Sequence, residues 1–383
     1  MPDQPARDPS EKLLFTPGPL TTSATVKAAM MRDAGSWHWE FNETVAHVRE
    51  EILRVAGVRR EDGYEAILVQ GSGTYGLEAV VCSAVPRDAK LLVAVNGAYG
   101  ARIVHMAEVL GIETVAVTCA EDETPDPQAV ANALADDEGI AVACVVHCET
   151  TTGILNPIAE IGRAVKDADR MYFVDAMSSF GAMEIDLRGI GVDYLVSSAN
   201  KCIEGVPGFS FVIARRQALL DTEGSARSLS LDLLAQLRGF EKNGQFRFTP
   251  PTHAILAFDQ ALRELAEEGG PPGRGARYQA NHETLINGMR ELGFREFPPP
   301  DRQSYIITSF CYPEHPDFEF NRFYRGLADR GFIIYPGKLT ETDCFRIGTI
   351  GRIFPDDIRR LLAAIGETLG EMGVPVPVSR AVA

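Results

Sequence analysis

A lysine follows a short apolar run in the segment Asp193-Tyr194-Leu195-Val196-Ser197-Ser198-Ala199-Asn200-Lys201-Cys202-Ile203-Glu204-Gly205-Val206-Pro207-Gly208. The small and apolar neighbours of Lys201 predict that its side chain is withdrawn from water. Desolvation disfavours the ammonium form and lowers the pKa toward that of a nucleophilic amine. An isolated lysine at a strand end more often runs along the surface with its charge in water. The interpretation of Lys201 therefore depends on the rest of the chain.

An aspartate ends another apolar run, Met171-Tyr172-Phe173-Val174-Asp175, about one strand-helix-strand unit before Lys201. The run is typical of a buried parallel strand, and ligands of open α/β sheets bind at the carboxyl ends of such strands. Alone, Asp175 is as well explained as a helix N-cap. Paired with Lys201, it is a candidate partner for a protonated pyridine nitrogen.

A glycine-rich turn joins a strand to a helix in Ile67-Leu68-Val69-Gln70-Gly71-Ser72-Gly73-Thr74-Tyr75-Gly76-Leu77-Glu78-Ala79. Glycines allow close approach of the backbone to an anion, and free amides at a helix start point toward it. The turn is neither a lysine-bearing P-loop nor a dinucleotide fingerprint. A lysine, an aspartate and a phosphate anchor together are the setting in which a lysine holds pyridoxal phosphate as a Schiff base.

These segments resemble the class V aminotransferases, from about Leu13 to about Met372. Further motifs that carry the resemblance are Phe15-Thr16-Pro17-Gly18-Pro19, Asn96-Gly97-Ala98-Tyr99-Gly100-Ala101-Arg102, His147-Cys148-Glu149-Thr150-Thr151-Thr152-Gly153 and Cys344-Phe345-Arg346-Ile347-Gly348. The resemblance implies an α/β fold of pyridoxal-phosphate fold type I. It also implies a homodimer with shared active sites.

The resemblance implies pyridoxal 5'-phosphate as the cofactor, with Lys201 and Asp175 as the catalytic residues. The implied cofactor site contains Ser72, Gly73, Thr74, Tyr99, Thr151, Asp175, Ser198, Lys201 and Thr249. Ser72, Gly73 and Thr74 would bind the phosphate. Tyr99 would stack on the ring, Thr151 would lie near the phenolic oxygen, and Thr249 would reach the phosphate of the partner subunit. Arg346 would bind the substrate carboxylate, a role that suits its planar fork.

The activity implied by the resemblance is transfer of the amino group of 2-aminoethylphosphonate to pyruvate, giving phosphonoacetaldehyde and alanine. Alternatives within the family use serine, alanine or glyoxylate, or run an aminophosphonate transamination in the biosynthetic direction. A cysteine desulfurase or another pyridoxal-phosphate lyase, and a non-catalytic binding protein, are further alternatives. Cys344 is the nearest candidate for a desulfurase thiol, although it lies in a strand-like segment.

Both tryptophans of the chain lie in Ser36-Trp37-His38-Trp39, where the resemblance places a substrate-facing loop. They either form a hydrophobic hinge over the pocket or change which amino donor fits.

The composition is that of a globular protein, with 383 residues, 45% hydrophobic and 23% charged. The net charge of −16 argues against nucleic-acid binding, which needs a basic surface. With no apolar run of membrane-spanning length and no signal-peptide core at Met1-Pro2-Asp3, we expect a cytoplasmic protein without membrane contact. Seven scattered cysteines predict a reducing compartment, and Cys144-Val145-Val146-His147-Cys148 lacks the second pair that a zinc site needs, so no metal is expected.

Short apolar runs alternate with helical patterns along most of the chain, which predicts a mostly parallel seven-stranded sheet. The runs begin at Ala66, Lys90, Glu113, Ala141, Met171, Tyr194 and Phe209. A long amphipathic helix opens at Thr252 and ends at Gly269-Gly270-Pro271-Pro272-Gly273. We therefore predict an N-terminal arm at 1–22, a large cofactor-binding domain at 23–252, and a linker helix with a small α+β domain at 253–383.

Overall fold

The computed structural model describes residues 11–340 and 342–378. Residues 1–10 of the predicted arm and the last five residues of the predicted small domain lie outside this range. The strands are β1 Leu13–Leu14, β2 Tyr64–Gln70, β3 Lys90–Val95, β4 Thr114–Thr118, β5 Ile140–Val146, β6 Cys148–Glu149, β7 Ile154–Leu155, β8 Met171–Asp175, β9 Tyr194–Ser198, β10 Phe209–Arg215, β11 Ile307–Cys311, β12 Phe332–Ile333, β13 Tyr335–Pro336 and β14 Cys344–Gly348.

The helices surround the sheets, and a single 3-10 turn lies at Arg60–Asp62. They are α1 Ala24–Ala29, α2 Trp39–Val55, α3 Gly73–Ala84, α4 Ala98–Val109, α5 Pro127–Asp136, α6 Ile158–Asp167, α7 Leu187–Ile190, α8 Arg216–Leu220, α9 Leu233–Asn243, α10 Thr252–Glu267, α11 Gly270–Glu291, α12 Phe320–Asp329 and α13 Pro355–Met372.

The central sheet has seven strands in the order β2-β10-β9-β8-β5-β3-β4. Each of the seven apolar runs predicted from the sequence forms one of these strands, and the predicted fold class is confirmed. The strands are parallel except β10, which is antiparallel to both β2 and β9. Most of these runs are buried along nearly their whole length because helices cover both faces of the sheet.

The carboxyl ends of β8 and β9 lie side by side, with Asp175 in register with Val196. The turn that carries Lys201 follows β9, and the glycine-rich turn follows β2, which β10 separates from β9. Parallel strands thus bring three segments that are distant in sequence to one edge of the sheet.

The C-terminal part forms a second core around the sheet β11-β14-β13, with Phe310, Phe345 and Ile347 buried. The N-terminal arm joins this core, because Leu13 and Leu14 pair with Phe332 and Ile333. Helix α10 instead packs into the large core through residues such as Ile255 and Phe258. The predicted domain boundaries stay a prediction.

Within the described ranges, no helix is both long and apolar enough to cross a membrane. The seven cysteines are all free thiols. No cluster of three or more histidine, cysteine or acidic side chains with metal-binding geometry occurs in the part of the chain that the structure describes.

Candidate active site

Lys201 lies at the floor of a site formed by the strand ends, where its Nζ donates a hydrogen bond to the carbonyl oxygen of Pro17 at 2.7 Å. Gly18 packs against the lysine, and a Cβ added there would lie 2.7 Å from Nζ. Gly18 also has a φ of +119°, so both space and backbone require glycine. Burial lowers the pKa of Lys201, and the positive charge of Arg346 lowers it further, against the opposing effect of Asp175. The sequence-based prediction for this lysine fits the geometry.

Asp175 ends β8 with its side chain 1% exposed. Its Oδ1 accepts a hydrogen bond from the backbone N–H of Met177 at 2.8 Å. The pKa of Asp175 is raised to about 7, chiefly by burial and also by the charge of Glu149, although Met177, Lys201 and Arg102 pull in the opposite direction. A buried carboxylate in this state is set to ionise fully when a cationic group is placed beside it.

The glycine-rich turn leads into α3, with Ser72 at the N-cap. The Ser72 hydroxyl caps no backbone N–H of the helix, so it remains available to a ligand. A Cβ at Gly73 would overlap the Met177 side chain. The glycine-rich turn therefore packs against Met177, which is two residues after Asp175. Gly73 and Thr74 are the first residues of α3, where free amides and the helix dipole favour an anion.

Tyr99 lies in the first turn of α4 and is flanked by two cations. The guanidinium carbon of Arg102 lies 4.8 Å from the ring centroid, and Nζ of Lys338 lies 4.9 Å from it. Burial favours a higher pKa for the Tyr99 hydroxyl. A hydrogen bond with Thr150 and the charges of Lys338, Lys201 and Arg346 outweigh burial, so the pKa is lowered. The sequence reasoning missed Lys338, which reaches Tyr99 only through the fold.

Thr150 and Thr151 face different surroundings. The Thr151 hydroxyl donates to Glu149 Oε1 at 2.5 Å and accepts from the backbone N–H of Ala98 at 3.1 Å. Thr150 instead bonds to the hydroxyl of Tyr99. Glu149 is fully buried beneath the start of α4, and burial raises its pKa. The ring-edge role of Thr151 stays a prediction, and Thr150 and Glu149 are site residues that the sequence reasoning missed.

Arg346 lies on β14 with a side chain that is 4% exposed. Its Nε donates to the carbonyl oxygen of Pro336 at 3.0 Å, and its Nη1 donates to that of Thr150 at 2.7 Å. These bonds fix the plane of the guanidinium and leave other N–H groups for a ligand. Because the charge of Arg346 acts on both Lys201 and Tyr99, the three side chains belong to one site.

Two other predicted cofactor contacts lie at the periphery. Ser198 is buried at the end of β9, with its hydroxyl 3.0 Å from Asn200 Oδ1. Thr249 is exposed, and its carbonyl oxygen accepts from Gln70 Nε2 at 3.4 Å, next to the glycine-rich turn. The role of Thr249 at a partner's phosphate stays a prediction.

Trp37 and Trp39 are 78% and 61% exposed, and neither interpretation of this segment is tested.

The residues fit pyridoxal phosphate on three counts. Lys201 has a lowered pKa, Asp175 is a buried carboxylate that a cation would ionise, and the start of α3 is an anion site. The lysine would meet the aldehyde of the cofactor, the aspartate its pyridine nitrogen and the anion site its phosphate.

Residues 21–334 match the family model described as Aminotransferase class-V. The chain belongs to the class V aminotransferases. This family implies pyridoxal phosphate, and the predicted family is confirmed.

Relatives of this class V aminotransferase include three proteins named 2-aminoethylphosphonate--pyruvate transaminase. The Syntrophobacter fumaroxidans protein is 51% identical over 94% of this chain and 97% of its own. The protein from Klebsiella pneumoniae subsp. pneumoniae is 50% identical over 93% and 97%, respectively. That of Salmonella paratyphi C is 52% identical over 92% and 96%.

Solved structures similar to this class V aminotransferase include pyridoxamine-pyruvate aminotransferase from Mesorhizobium loti. Its TM-score is 0.86 at 22% identity, covering 97% of this chain and 95% of that chain. Aspartate aminotransferase from Thermus thermophilus has a TM-score of 0.82 at 26% identity, covering 94% and 99%. At 22% identity, the first of these likenesses speaks for the fold alone.

Proposed function

We propose that this class V aminotransferase transfers the amino group of 2-aminoethylphosphonate to pyruvate, giving phosphonoacetaldehyde and L-alanine. The observation that carries the proposal is the set of relatives with this name, about half identical over more than nine tenths of both chains. The site supports it, because lysine, aspartate and anion turn lie at one edge of the central sheet, and the charge of Arg346 on β14 acts on the lysine.

In this proposal, Lys201 holds pyridoxal phosphate covalently and Asp175 binds its pyridine nitrogen. Ser72, Gly73 and Thr74 hold the phosphate, and Tyr99 packs on the ring. Thr150 also belongs to the proposed site, because it is hydrogen-bonded to the Tyr99 side chain. When bound, the cofactor supplies an electron sink for the carbanion that forms at the substrate carbon.

Lys201 is the group that moves protons. Its lowered pKa keeps a larger fraction of the amine neutral near neutral pH than an ordinary lysine has. A neutral amine would accept the proton from the carbon beside the substrate nitrogen and deliver it to the aldehyde carbon of the cofactor, which is the transfer that transamination requires. Asp175 contributes by keeping a proton on the pyridine nitrogen through its ionised carboxylate.

Arg346 and Lys338 supply the positive charge that both substrates need. Pyruvate and alanine carry a carboxylate, whereas 2-aminoethylphosphonate carries a phosphonate, so one cationic seat serves both in turn. The chain as a whole is strongly acidic, with a net charge of −16. A local cluster of cations is therefore required to attract an anion against the overall field.

We also propose a homodimer with shared active sites. A cavity of about 440 Å³ is lined by residues of the segments 36–42 and 245–250, including Ser36, Phe248 and Thr249. Trp37, Trp39 and Phe248 are exposed around it. Exposed aromatic side chains next to an incomplete site are typical of a surface that another subunit covers.

The desulfurase alternative finds no support at its nearest candidate thiol. Cys344 is 3% exposed on β14, and burial raises its pKa. A nucleophilic thiol needs exposure and a lowered pKa, so Cys344 has the wrong surroundings.

A substrate panel tests the proposed function. We would incubate the holoenzyme with pyruvate and one donor at a time and measure alanine. Donors would be 2-aminoethylphosphonate, 3-aminopropylphosphonate and L-serine, and alanine would be tested with glyoxylate as acceptor. We expect 2-aminoethylphosphonate to have the highest kcat/KM. A preference for serine, or for alanine with glyoxylate, would overturn the assignment and leave the family unchanged.

A further inference from the structure

The turn that carries Lys201 is held in an uncommon backbone conformation. Glu204 has a φ of +65°, which a residue with a side chain seldom adopts. Its backbone N–H donates to the carbonyl oxygen of Lys201 at 2.7 Å, and that of Gly205 donates to Ala199 at 2.9 Å. Such conformations persist where the surroundings impose them, and they concentrate at functional sites.

Helix α11 imposes this conformation through buried polar side chains. Arg274 Nη1 donates to the carbonyl oxygen of Cys202 at 2.6 Å. Tyr278 donates its hydroxyl proton to Glu204 Oε1 at 2.6 Å, and Arg277 Nη2 donates to the same oxygen at 2.8 Å. Arg274 and Tyr278 are fully buried, and the side chain of Arg277 is 8% exposed. The lysine turn is therefore docked rigidly on one face of α11.

The same turns of α11 also hold the loop that follows Arg346. The backbone N–H of Gly351 donates to the Tyr278 hydroxyl at 3.1 Å, and Arg277 Nη1 donates to the Gly351 carbonyl oxygen at 2.5 Å. Asn281 Nδ2 donates to the carbonyl oxygens of Thr349 and Ile353, both at 3.0 Å. Tyr278 and Arg277 thus both bridge the two segments, because each side chain bonds to Glu204 and to Gly351.

We propose that Glu204, Arg274, Arg277 and Tyr278 form a positioning cluster that sets the distance between Lys201 and Arg346. That distance corresponds to the separation between the amine and the anionic group of the donor. The cluster therefore selects donors by length as well as by charge. The choice of donors for testing this proposal rests on the proposed function, whereas the contacts that define the cluster do not depend on that function.

The charges within the cluster compensate one another. Glu268 joins it by bonding to both Arg274 and Arg277, at 2.6 Å in each case. Two carboxylates thus face two guanidinium groups. Removing one buried ion would leave its partner uncompensated and threaten folding. The Tyr278 hydroxyl is neutral, so Tyr278→Phe removes its hydrogen bonds to Glu204 and Gly351 while keeping the ring, every charge and the bonds of Arg277.

The matched control is Tyr194→Phe. Tyr194 is also fully buried, and its hydroxyl donates to the carbonyl oxygen of Ala218 at 2.8 Å, within the large core. Single-turnover rate constants would be measured for each holoenzyme with 2-aminoethylphosphonate and with 3-aminopropylphosphonate. We expect Tyr278→Phe to lose about tenfold with the shorter donor and to change the ratio of the two rate constants. We expect Tyr194→Phe to leave the ratio unchanged.

A second readout uses the protein without cofactor. Hydrogen–deuterium exchange should accelerate in segments 201–205 and 349–353 of Tyr278→Phe and not in those of Tyr194→Phe. An unchanged donor ratio, or exchange in these segments like that of wild type, would overturn the positioning role. If wild type does not use 2-aminoethylphosphonate, the proposed function fails by itself. The ratio is then measured with alanine and β-alanine, isomers in which one and two carbons, respectively, separate the amine from the carboxylate.

Discussion

Two groups of buried charges lie on either side of the Lys201 turn, and they behave in opposite ways. In the positioning cluster, burial alone would raise the pKa of Glu268, yet Arg274 and Arg277 lower it to about 2. At the floor of the site, burial raises the pKa of Asp175 to about 7 and lowers that of Lys201. Burial disfavours the charged form in both places. The charged form wins only in the cluster, where the arginines outweigh burial.

The difference lies in what each group faces. The charges of the cluster meet opposite charges within hydrogen-bond distance, so they are paired within the protein itself. Among the described residues, the carboxylate of Asp175 accepts a hydrogen bond from the backbone N–H of Met177 but has no cation at salt-bridge distance. Buried ionisable groups that the protein leaves uncompensated are the ones reserved for a ligand. Compensation, rather than burial, separates the chemical residues from the structural ones here.

Replacing Asp175 tests this contrast with the largest expected effect. Asp175→Asn keeps an acceptor for the Met177 N–H but removes the negative charge that holds a proton on the pyridine nitrogen. We expect the rate constant of the half-reaction with the amino donor to fall by about 10²–10³-fold, the scale for removal of one electrostatic stabiliser. Rapid-mixing spectroscopy of the cofactor measures it.

Without the cofactor, Asp175→Asn should be more stable than wild type. Because the pKa of Asp175 is raised on folding from 3.8 to about 7, ionisation destabilises the folded protein, and this penalty grows as the pH rises between these two values and levels off above the higher one. The advantage of Asp175→Asn over wild type should increase by about 2 kcal/mol from about pH 5 to about pH 8. Urea unfolding at the two pH values gives this difference. A constant advantage, or an unchanged half-reaction, would mean that Asp175 is already compensated.

Arg346 is a further buried charge that the protein leaves uncompensated. Its guanidinium donates to two carbonyl oxygens, and among the described residues it pairs with no carboxylate. We expect Arg346→Ala to weaken both half-reactions by about 2–4 kcal/mol, the scale of a lost charge-assisted pair. Arg346→Lys serves as the control, since it keeps the charge and loses the planar fork. The measurement is kcat/KM for alanine and for 2-aminoethylphosphonate. If both values survive in Arg346→Ala, the anion seat lies elsewhere, and Lys338 is the next candidate.

Much of the large domain was predictable from the sequence because its strands are continuous apolar runs. The run Lys90–Val95 forms β3 with the predicted bounds, and Asp175 ends β8 as expected. The glycine-rich turn and the helix after it were predictable for the same local reason. Only the antiparallel direction of β10 departs from parallel order, and the prediction of a mostly parallel sheet allows for it.

The remaining parts of the site depend on contacts that no local pattern encodes. Glu204 meets Arg277 and Tyr278 across more than seventy positions of chain. Lys338, in the segment between β13 and β14, lies over the Tyr99 ring although the two residues are far apart in sequence. Thr150 and Thr151 are chemically alike, and only the backbone geometry decides which hydroxyl faces Tyr99. The predicted site residues stay predictions until variants are measured.

The most direct measurement locates the cofactor on the chain. The yellow holoenzyme would be reduced with borohydride, digested and analysed by mass spectrometry, with Lys201→Ala as the control. The account predicts a pyridoxyl phosphate adduct on the peptide containing Lys201, and no adduct in the variant, which should also lack turnover. An adduct on another lysine, or near-normal turnover in Lys201→Ala, would contradict the assignment of Lys201 as the catalytic residue.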